Sequence, residues 1–312
     1  MQYNLLGNTG MNVSRISFGA SSLSAVFHSV NQAEAIKAVH TALDAGINYF
    51  DVAPAYGGTV SETVLGKALK GIPRNRYFLS TKVGKYTDPN RYGNDVLDFS
   101  AKRIYQSLEE SSRRLGTDYF DIIHIHDIEY QNRQHTEWAL AEGLDTVHQL
   151  KKEGRIGAVG FGIYPMDLWQ RIFRDYEIDA ALIHNHYCLY DNRLLQLLPL
   201  TTQKGIGIIN ASPFGSGLLT ARGPADWHPA TKEERAVFLE ASLLCKQYEI
   251  PIEKLAIQFS SQHTGIPTTM FSSSNPLSVL KNIQWSEEPL NLELLLKVQH
   301  ILAPVMNKQW DY

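Results

Sequence analysis

The 312-residue sequence predicts an α/β fold, a single-domain (β/α)8 TIM barrel over residues 1–312, on three observations. Short apolar runs alternate with amphipathic stretches eight times along the chain, as a closed parallel barrel requires. The length suits such a barrel with modest insertions. The competing doubly wound sheet would need a Gly-x-Gly-x-x-Gly turn after its first strand, and "FGASSLSA" does not supply one.

The eight strands are read at Val13–Gly19, Ile47–Asp51, Tyr77–Lys82, Phe120–His126, Ile156–Phe161, Ala180–His184, Ile206–Ala211 and Thr268–Phe271. Helical patterns lie between them. Gln32–Ala45 stops at Gly46, Ser100–Leu115 at Gly116, Glu137–Lys152 at Gly154 and Asn192–Lys204 at Gly205, each glycine suiting a helix C-terminus. Ser61–Leu69 opens on Ser and Glu, a cap and a first-turn acid. Pro165–Asp175 carries Pro in its first turn. Thr231–Tyr248 and Pro251–His263 precede the last strand, and Pro276–Ile283 follows it. "ARGPADWHPATKEE" (221–234) reads as a loop over one face of the barrel.

Composition narrows the function. Hydrophobic residues make up 44% and charged residues 20%, which suits a large core and argues against disorder. The net charge is −3 and no long basic block occurs, so nucleic acid and anionic membrane are poor partners. No apolar run approaches the ~20 residues that cross a bilayer. The N-terminus lacks the layout of a signal peptide, and two cysteines, Cys188 and Cys245, make no disulfide framework. A cytoplasmic setting is expected.

Barrel chemistry sits at the C-terminal ends of the strands. Strand two ends in Asp51, with Tyr56 on the loop beyond; strand three ends in Lys82 and strand four in His126. A free tyrosine has a pKa of ~10 and is a poor acid–base group at neutral pH. A neighbouring ammonium favours phenolate, so Lys82, held by Asp51, is expected to make Tyr56 acidic. His126 would orient the substrate oxygen. This is a general acid/base without metal or nucleophile, and it suits hydride transfer to a nicotinamide, where a proton moves on oxygen as hydride leaves carbon.

A rival reading comes from the histidines. His124 and His126 share one face of strand four, and His184 and His186 repeat that spacing, as in a metal-dependent barrel hydrolase. Such a site also needs strand-end carboxylates. Asp51 is better explained by Lys82, and Asp127, directly after His126, is expected to point away from it. The bland reading of His124, a hydrogen-bonded interior histidine, is preferred.

Over essentially its whole length the chain resembles the aldo-keto reductases. The resemblance rests on "FDVAPAYGG…SETVLGKAL", "STK" and "DIIHIHD". It implies a catalytic tetrad of Asp51, Tyr56, Lys82 and His126. "GASSL", "DFSAKRIYQSLEESSRRLGTDYFDIIHIHDIEY", "ASPFGSGLLT" and "GPADWHPA" are similar to the L-galactose dehydrogenase branch, which oxidises the C1 hydroxyl of an aldose to a lactone with NAD. The resemblance therefore implies a small aldose as substrate, contacted by Tyr56, His126 and Asp127. Another aldose or aldehyde (L-fucose, D-arabinose) and a non-catalytic, channel-associated or redox-sensing subunit stay open as alternatives.

Cofactor contacts follow from the resemblance position by position. Gly162 and Ile163 stand where many members have a Ser-Asn clamp on the nicotinamide amide. His184, with Asn185 adjacent, stands where a Gln often supports that amide, and Ala211 where a Tyr stacks on the ring. Ser212, Phe214, Ser216 and Leu218 fall beside the pyrophosphate, and Gly19, Ala20 and Asp51 complete the set. NADP-preferring members carry Lys and Arg at the places of Ser272 and Ser278. A phosphate dianion without cationic partners is costly, so the resemblance implies NAD over a weaker NADP, with Ser272, Ser273, Ser274, Ser278 and Asn282 around the adenosine. The helix start near Pro276 adds some anion attraction.

Aldose selectivity is assigned to loops over the mouth: Ala20–Phe27, Tyr86–Tyr92, Asp127–Tyr130 and the tail with Trp310. Phe27, Trp138 and Tyr187 are aromatic candidates for a sugar face, with helix packing the preferred reading of Trp138.

Overall fold

The computed structural model describes residues 1–24, 30–87 and 95–310. Its chain begins with a hairpin, β1 (Tyr3–Leu5) and β2 (Asn12–Ser14), before the first barrel strand β3 (Ile16–Gly19). The remaining strands are β4 (Tyr49–Asp51), β5 (Phe78–Val83), β6 (Lys85–Thr87), β7 (Asp95–Leu97), β8 (Phe120–His126), β9 (Ile156–Ile163), β10 (Ala180–His184), β11 (Gly207–Ala211) and β12 (Thr268–Ser272). Eight of them close in the order β3-β4-β5-β8-β9-β10-β11-β12, every pair parallel. The expected barrel is therefore present, with β8 and β10 at their expected bounds.

The helices are α1 (Gln32–Asp44), α2 (Val60–Leu69), α3 (Ala101–Leu115), α4 (Thr136–Trp138), α5 (Leu144–Lys152), α6 (Met166–Asp175), α7 (Leu198–Lys204), α8 (Lys232–Gln247), α9 (Ile252–Ser261), α10 (Pro276–Glu287) and α11 (Leu292–Leu302). Their ends follow local chemistry. Asn31 accepts the amides of Ala33 and Glu34, Ser100 that of Arg103, and Thr231 forms a reciprocal capping box with Glu234. Gly116 and Gly205 end α3 and α7 at φ 71° and 68°, a conformation that favours glycine.

Two apolar layers position the site. The outer one packs the helices against the outward faces of the strands, with Phe18, Phe50, Ile123, Ile125, Phe161 and Trp169 at its centre. The inner one fills the barrel with Tyr49, Ile122, Leu182, Ile209 and Met270, and Leu6, Met11 and Val13 from the β1–β2 hairpin close its N-terminal end. Among the described residues the barrel interior is thus filled below, and its large cavity lies above the C-terminal strand ends.

Several expectations shift. The strand read as Val13–Gly19 is two elements, β2 and β3, separated at Arg15. The stretch Asn192–Lys204 is a 3-10 turn, Arg193–Gln196, followed by α7, and the helix read at Glu137–Lys152 contains a π-helical turn, Ala139–Gly143. The β6–β7 hairpin and α11 are additions. Trp310 does not cover the mouth: it is buried against Tyr190, Phe238 and His228 in a second apolar cluster. Tyr187 stacks on Phe259 at 4.9 Å, and Trp138 packs edge-on against Phe99, so both serve helix packing. Phe27 and residues 88–92 of the Tyr86–Tyr92 segment lie outside the described residues. No described helix is long and apolar enough to cross a membrane.

Candidate active site

All eight barrel strands send a residue from their C-terminal ends to one cavity of about 1330 Å³: Gly19, Asp51, Lys82, His126, Gly162, His184, Ala211 and Ser272. Tyr56 lines the same space from the loop after β4. The four residues that the sequence singles out on separate strands and loops therefore share one compartment.

Their contacts define a rigid floor. The Lys82 ammonium is buried and donates to Asp51 Oδ2 and, at 2.9 Å, to the Val52 carbonyl. Asp51 Oδ1 accepts from Ser80 Oγ at 2.7 Å, and Ser80 meets the Tyr49 hydroxyl at 2.9 Å. Burial raises the Asp51 carboxyl against the opposing pull of Lys82 and Ser80. Tyr56 stands with its ring centre 4.8 Å from Lys82 Nζ and edge-on to His126, with centroids 5.9 Å apart at 85°.

The electrostatics correct one expectation. The Tyr56 phenol is pushed well above its ordinary value, first by burial, then by the carboxylates of Asp51 and Asp127; the cation that works the other way is Lys85. Burial and the Asp51 carboxylate, to which the Lys82 ammonium is bound, oppose any lowering of the phenol by that ammonium. Tyr56 is thus a protonated phenol at rest. His126 is neutral, held at about 3, because burial disfavours its charge more than Asp127 favours it. A neutral imidazole offers one N–H to a substrate oxygen.

Lys85 and Asp95 are the residues that sequence reasoning missed, whereas Asp127 and Tyr130 were expected at the mouth. The Lys85 ammonium meets Asp127 Oδ2 at 2.7 Å and Asp95 Oδ2 at 3.1 Å, and lies 3.6 Å from the Tyr130 ring centre. All four residues line the cavity. Asp127 does not point away from His126. Its φ of +50° takes it out of the strand pattern, and its Oδ1 lies 3.5 Å from His126 Nε2. The alternation rule fails there because β8 has already ended.

The cofactor candidates mostly line the long arm of the cavity. Ser212, Phe214 and Ser216 lie on the β11 side, and Ser272, Ser273, Ser274, Ser278 and Asn282 on the β12–α10 side. Ser272 Oγ accepts the Ser22 amide at 2.9 Å, and Asn275 caps α10 through the Ser278 amide at 3.0 Å. The side chains of Ala20, directly after β3, and Leu218 are buried in the apolar clusters and do not line the cavity, which leaves only their backbone groups for a cofactor. Ile163 is likewise buried in the outer core, whereas Gly162 faces the site. A Cβ on Gly162 would lie 3.6 Å from Lys82 Cε and 3.9 Å from His126, so its absence leaves room directly over those groups. Asn185 donates to Ser216 Oγ at 3.1 Å while its buried Oδ1 has no hydrogen-bond partner among the described residues. Ser216 lines the cavity, whereas Asn185 lies behind it. The exposed Arg222 and Lys281 also reach the cavity, from the 221–234 loop and from α10.

The remaining histidines separate. His124 is fully buried below the floor, His186 meets the Tyr164 carbonyl at 2.6 Å, and His184 stacks on Tyr164 at the cavity wall. Among the described residues no group of three histidine, cysteine or acidic side chains is arranged to hold a metal ion. Burial pushes the Cys188 thiol up to about 12 and the Cys245 thiol to about 11.

The profile of the Aldo/keto reductase family matches residues 15–302. An L-galactose dehydrogenase from Arabidopsis thaliana is 38% identical, covering 98% of this chain and 95% of its own. A D-threo-aldose 1-dehydrogenase from a Pseudomonas species is 28% identical, over 89% and 90% of the two chains. Among solved structures, the holo form of an aldo-keto reductase from Bacillus halodurans superposes with a TM-score of 0.80 at 25% identity, over 100% of this chain and 98% of that one.

Proposed function

The chain belongs to the aldo/keto reductase family, whose members use nicotinamide cofactors on small carbonyl and hydroxyl substrates, and from that premise we propose that it oxidises an aldose at C1 to its lactone with NAD. The observation that carries this reading is the shared cavity: Tyr56, His126 and the Lys82–Asp51 pair line one space together with the hydroxyls of Ser212, Ser216, Ser272, Ser273, Ser274 and Ser278. L-galactose is the favoured aldose, because the 38% identical relative carries that name.

A bound nicotinamide supplies the hydride acceptor. The protein supplies the proton path and the geometry. Tyr56 Oη exchanges the proton of the C1 oxygen, and His126 donates its N–H to the same oxygen and fixes it. Because the resting phenol is protonated, oxidation requires prior loss of its proton and should speed up with rising pH; reduction of a carbonyl uses the protonated form and should not. Lys82 and Asp51 hold the floor against which Tyr56 is placed. Asp127 accepts a sugar hydroxyl.

His184 would stand on the carboxamide side, Ser212, Phe214 and Ser216 would meet the pyrophosphate, and the serines from Ser272 to Ser278 would meet the adenosine ribose. No cation stands among those serines, which supports NAD. Arg222 and Lys281 on the rim leave NADP as the weaker cofactor. A panel of aldoses with NAD and NADP, followed by reduced-nicotinamide absorbance, tests the assignment. NAD-dependent turnover of L-galactose is expected. Activity confined to simple aldehydes, or to NADP, would remove it.

A further inference from the structure

The cluster of Lys85, Asp95, Asp127 and Tyr130 does not itself carry the proton, although Lys85 and Asp127 act on the Tyr56 phenol through their charges. Its central pair is nearly sealed from solvent, with Lys85 7% and Asp127 6% exposed. A buried ion pair is weak as a stabilising device, since desolvation offsets the attraction. This one lies on the wall of the active cavity, not in the core.

The hydrogen-bonding capacity of the cluster is almost spent. Lys85 has three donor hydrogens. Asp127 Oδ2 and Asp95 Oδ2 take two, and the Tyr130 face occupies the third direction. Lys85 therefore has nothing left for a substrate. Asp127 does: Oδ2 is held by Lys85, whereas Oδ1 is 3.5 Å from His126 Nε2, beyond a good hydrogen bond, with no other hydrogen-bond donor among the described residues. The left-handed backbone of Asp127, at φ +50°, is a strained conformation of the sort found where function requires a side chain to be aimed.

We propose that Lys85 is a positioning residue: it holds the Asp127 carboxylate on the Tyr56–His126 side of the cavity, where Oδ1 accepts a hydrogen bond from a hydroxyl on the carbon next to the reacting one. The cluster thereby selects hydroxylated substrates over plain aldehydes and alcohols. This rests on reading the cavity as a carbonyl–alcohol redox site.

The charged groups around Asp127 set its pH behaviour. Lys85 lies on β6, Asp95 on β7, His184 at the end of β10, and His126, Glu129 and Tyr130 adjoin it in the chain. Burial works to raise the Asp127 carboxyl, but His126 and Lys85 outweigh it and hold it at about 2. Burial and Asp127 together lift Glu129 to about 8. Without Lys85, burial should carry the Asp127 carboxyl upward, and an acidic limb should enter the pH profile for hydroxylated substrates alone.

The test compares lactaldehyde with propanal, which differ by one hydroxyl on the neighbouring carbon, in NADH-dependent reduction by the wild type and by Lys85→Met, Lys85→Arg and Asp127→Asn. The wild type should prefer lactaldehyde. Lys85→Met should raise the lactaldehyde KM about 10- to 100-fold, the worth of a hydrogen bond to a charged group, with propanal changed no more than about twofold. It should also acquire the acidic limb, and Lys85→Arg should restore most of the preference. Asp127→Asn should lose the preference without a limb. Propanal in the same protein controls for misfolding. Equal losses on both substrates, a flat acidic profile, or a wild type without preference would overturn the proposal. A preserved lactaldehyde preference with no aldose oxidation would instead remove the aldose reading and leave the positioning role standing. No turnover of either aldehyde would overturn both.

Discussion

Lys82 Nζ lies 4.8 Å from the centre of the Tyr56 ring, yet its hydrogen bonds go to Asp51 and the Val52 carbonyl. The Asp51 carboxylate that binds it is itself among the groups that raise the Tyr56 phenol. The cation that works to lower the Tyr56 phenol is Lys85.

This division predicts different pH shifts for two lysine substitutions. In Lys82→Met the buried Asp51, already raised by burial, takes up a proton and the local charge stays near zero. Turnover should fall because the floor under Tyr56 is lost, with the alkaline midpoint of aldose oxidation nearly unmoved. In Lys85→Met a cation is lost while Asp127 remains, so that midpoint should move to higher pH. pH–kcat profiles for both variants provide the check, and a larger shift for Lys82→Met would contradict the division.

Asp127→Asn gives the opposite sign. The Asp127 carboxylate raises the Tyr56 phenol, so its removal should move the alkaline midpoint of oxidation to lower pH, while the KM for hydroxylated substrates rises. The same profiles measure it.

Cofactor choice turns on the β12–α10 serines. Ser278→Arg places a guanidinium on the cavity wall, where it can form a bidentate pair with a phosphate. The NADP/NAD ratio of kcat/KM should rise at least about tenfold, given the ~1.5–3 kcal/mol of a hydrogen bond to a charged group. An unchanged ratio would place the adenosine elsewhere.

Gly84 links the barrel to the Lys85 cluster. It sits at φ +96° between β5 and β6, and a Cβ there would fall 2.2 Å from Phe99. Gly84→Ala should lower the thermal midpoint by several degrees, from about 1–3 kcal/mol of overpacking and backbone strain. It should also raise the aldose KM by displacing Lys85. Calorimetry and steady-state kinetics read the two effects separately.

The sequence carried the barrel and the floor of the site because both obey local rules. The run of β8, "FDIIHIH", and its bounding residues place His126 at a strand end without tertiary information. Asp51 and Lys82 follow the same rule on β4 and β5. What escaped depends on backbone departures. Lys85 looks like a residue past the end of a strand, and the turn at Gly84 brings it back over the cavity. Asp127 obeys no alternation once φ turns positive. The helix α11 was obscured because leucines occupy both its faces: Leu292 and Leu296 are exposed while Leu294 and Leu295 are buried, which blurs the 3.6-residue period. The charge on Tyr56 needed distances, since a strand-end lysine reads the same whether it is free or already paired.

The central claim is that the phenol of Tyr56 passes the proton of the reacting oxygen. The most direct measurement is the single-turnover rate of NAD reduction by L-galactose in Tyr56→Phe against the wild type, with cofactor binding checked by fluorescence titration. Loss of a general acid–base group costs ~10²–10⁴-fold, and a fall of that size with NAD affinity intact is the predicted result. A rate within a few-fold of the wild type would contradict the account.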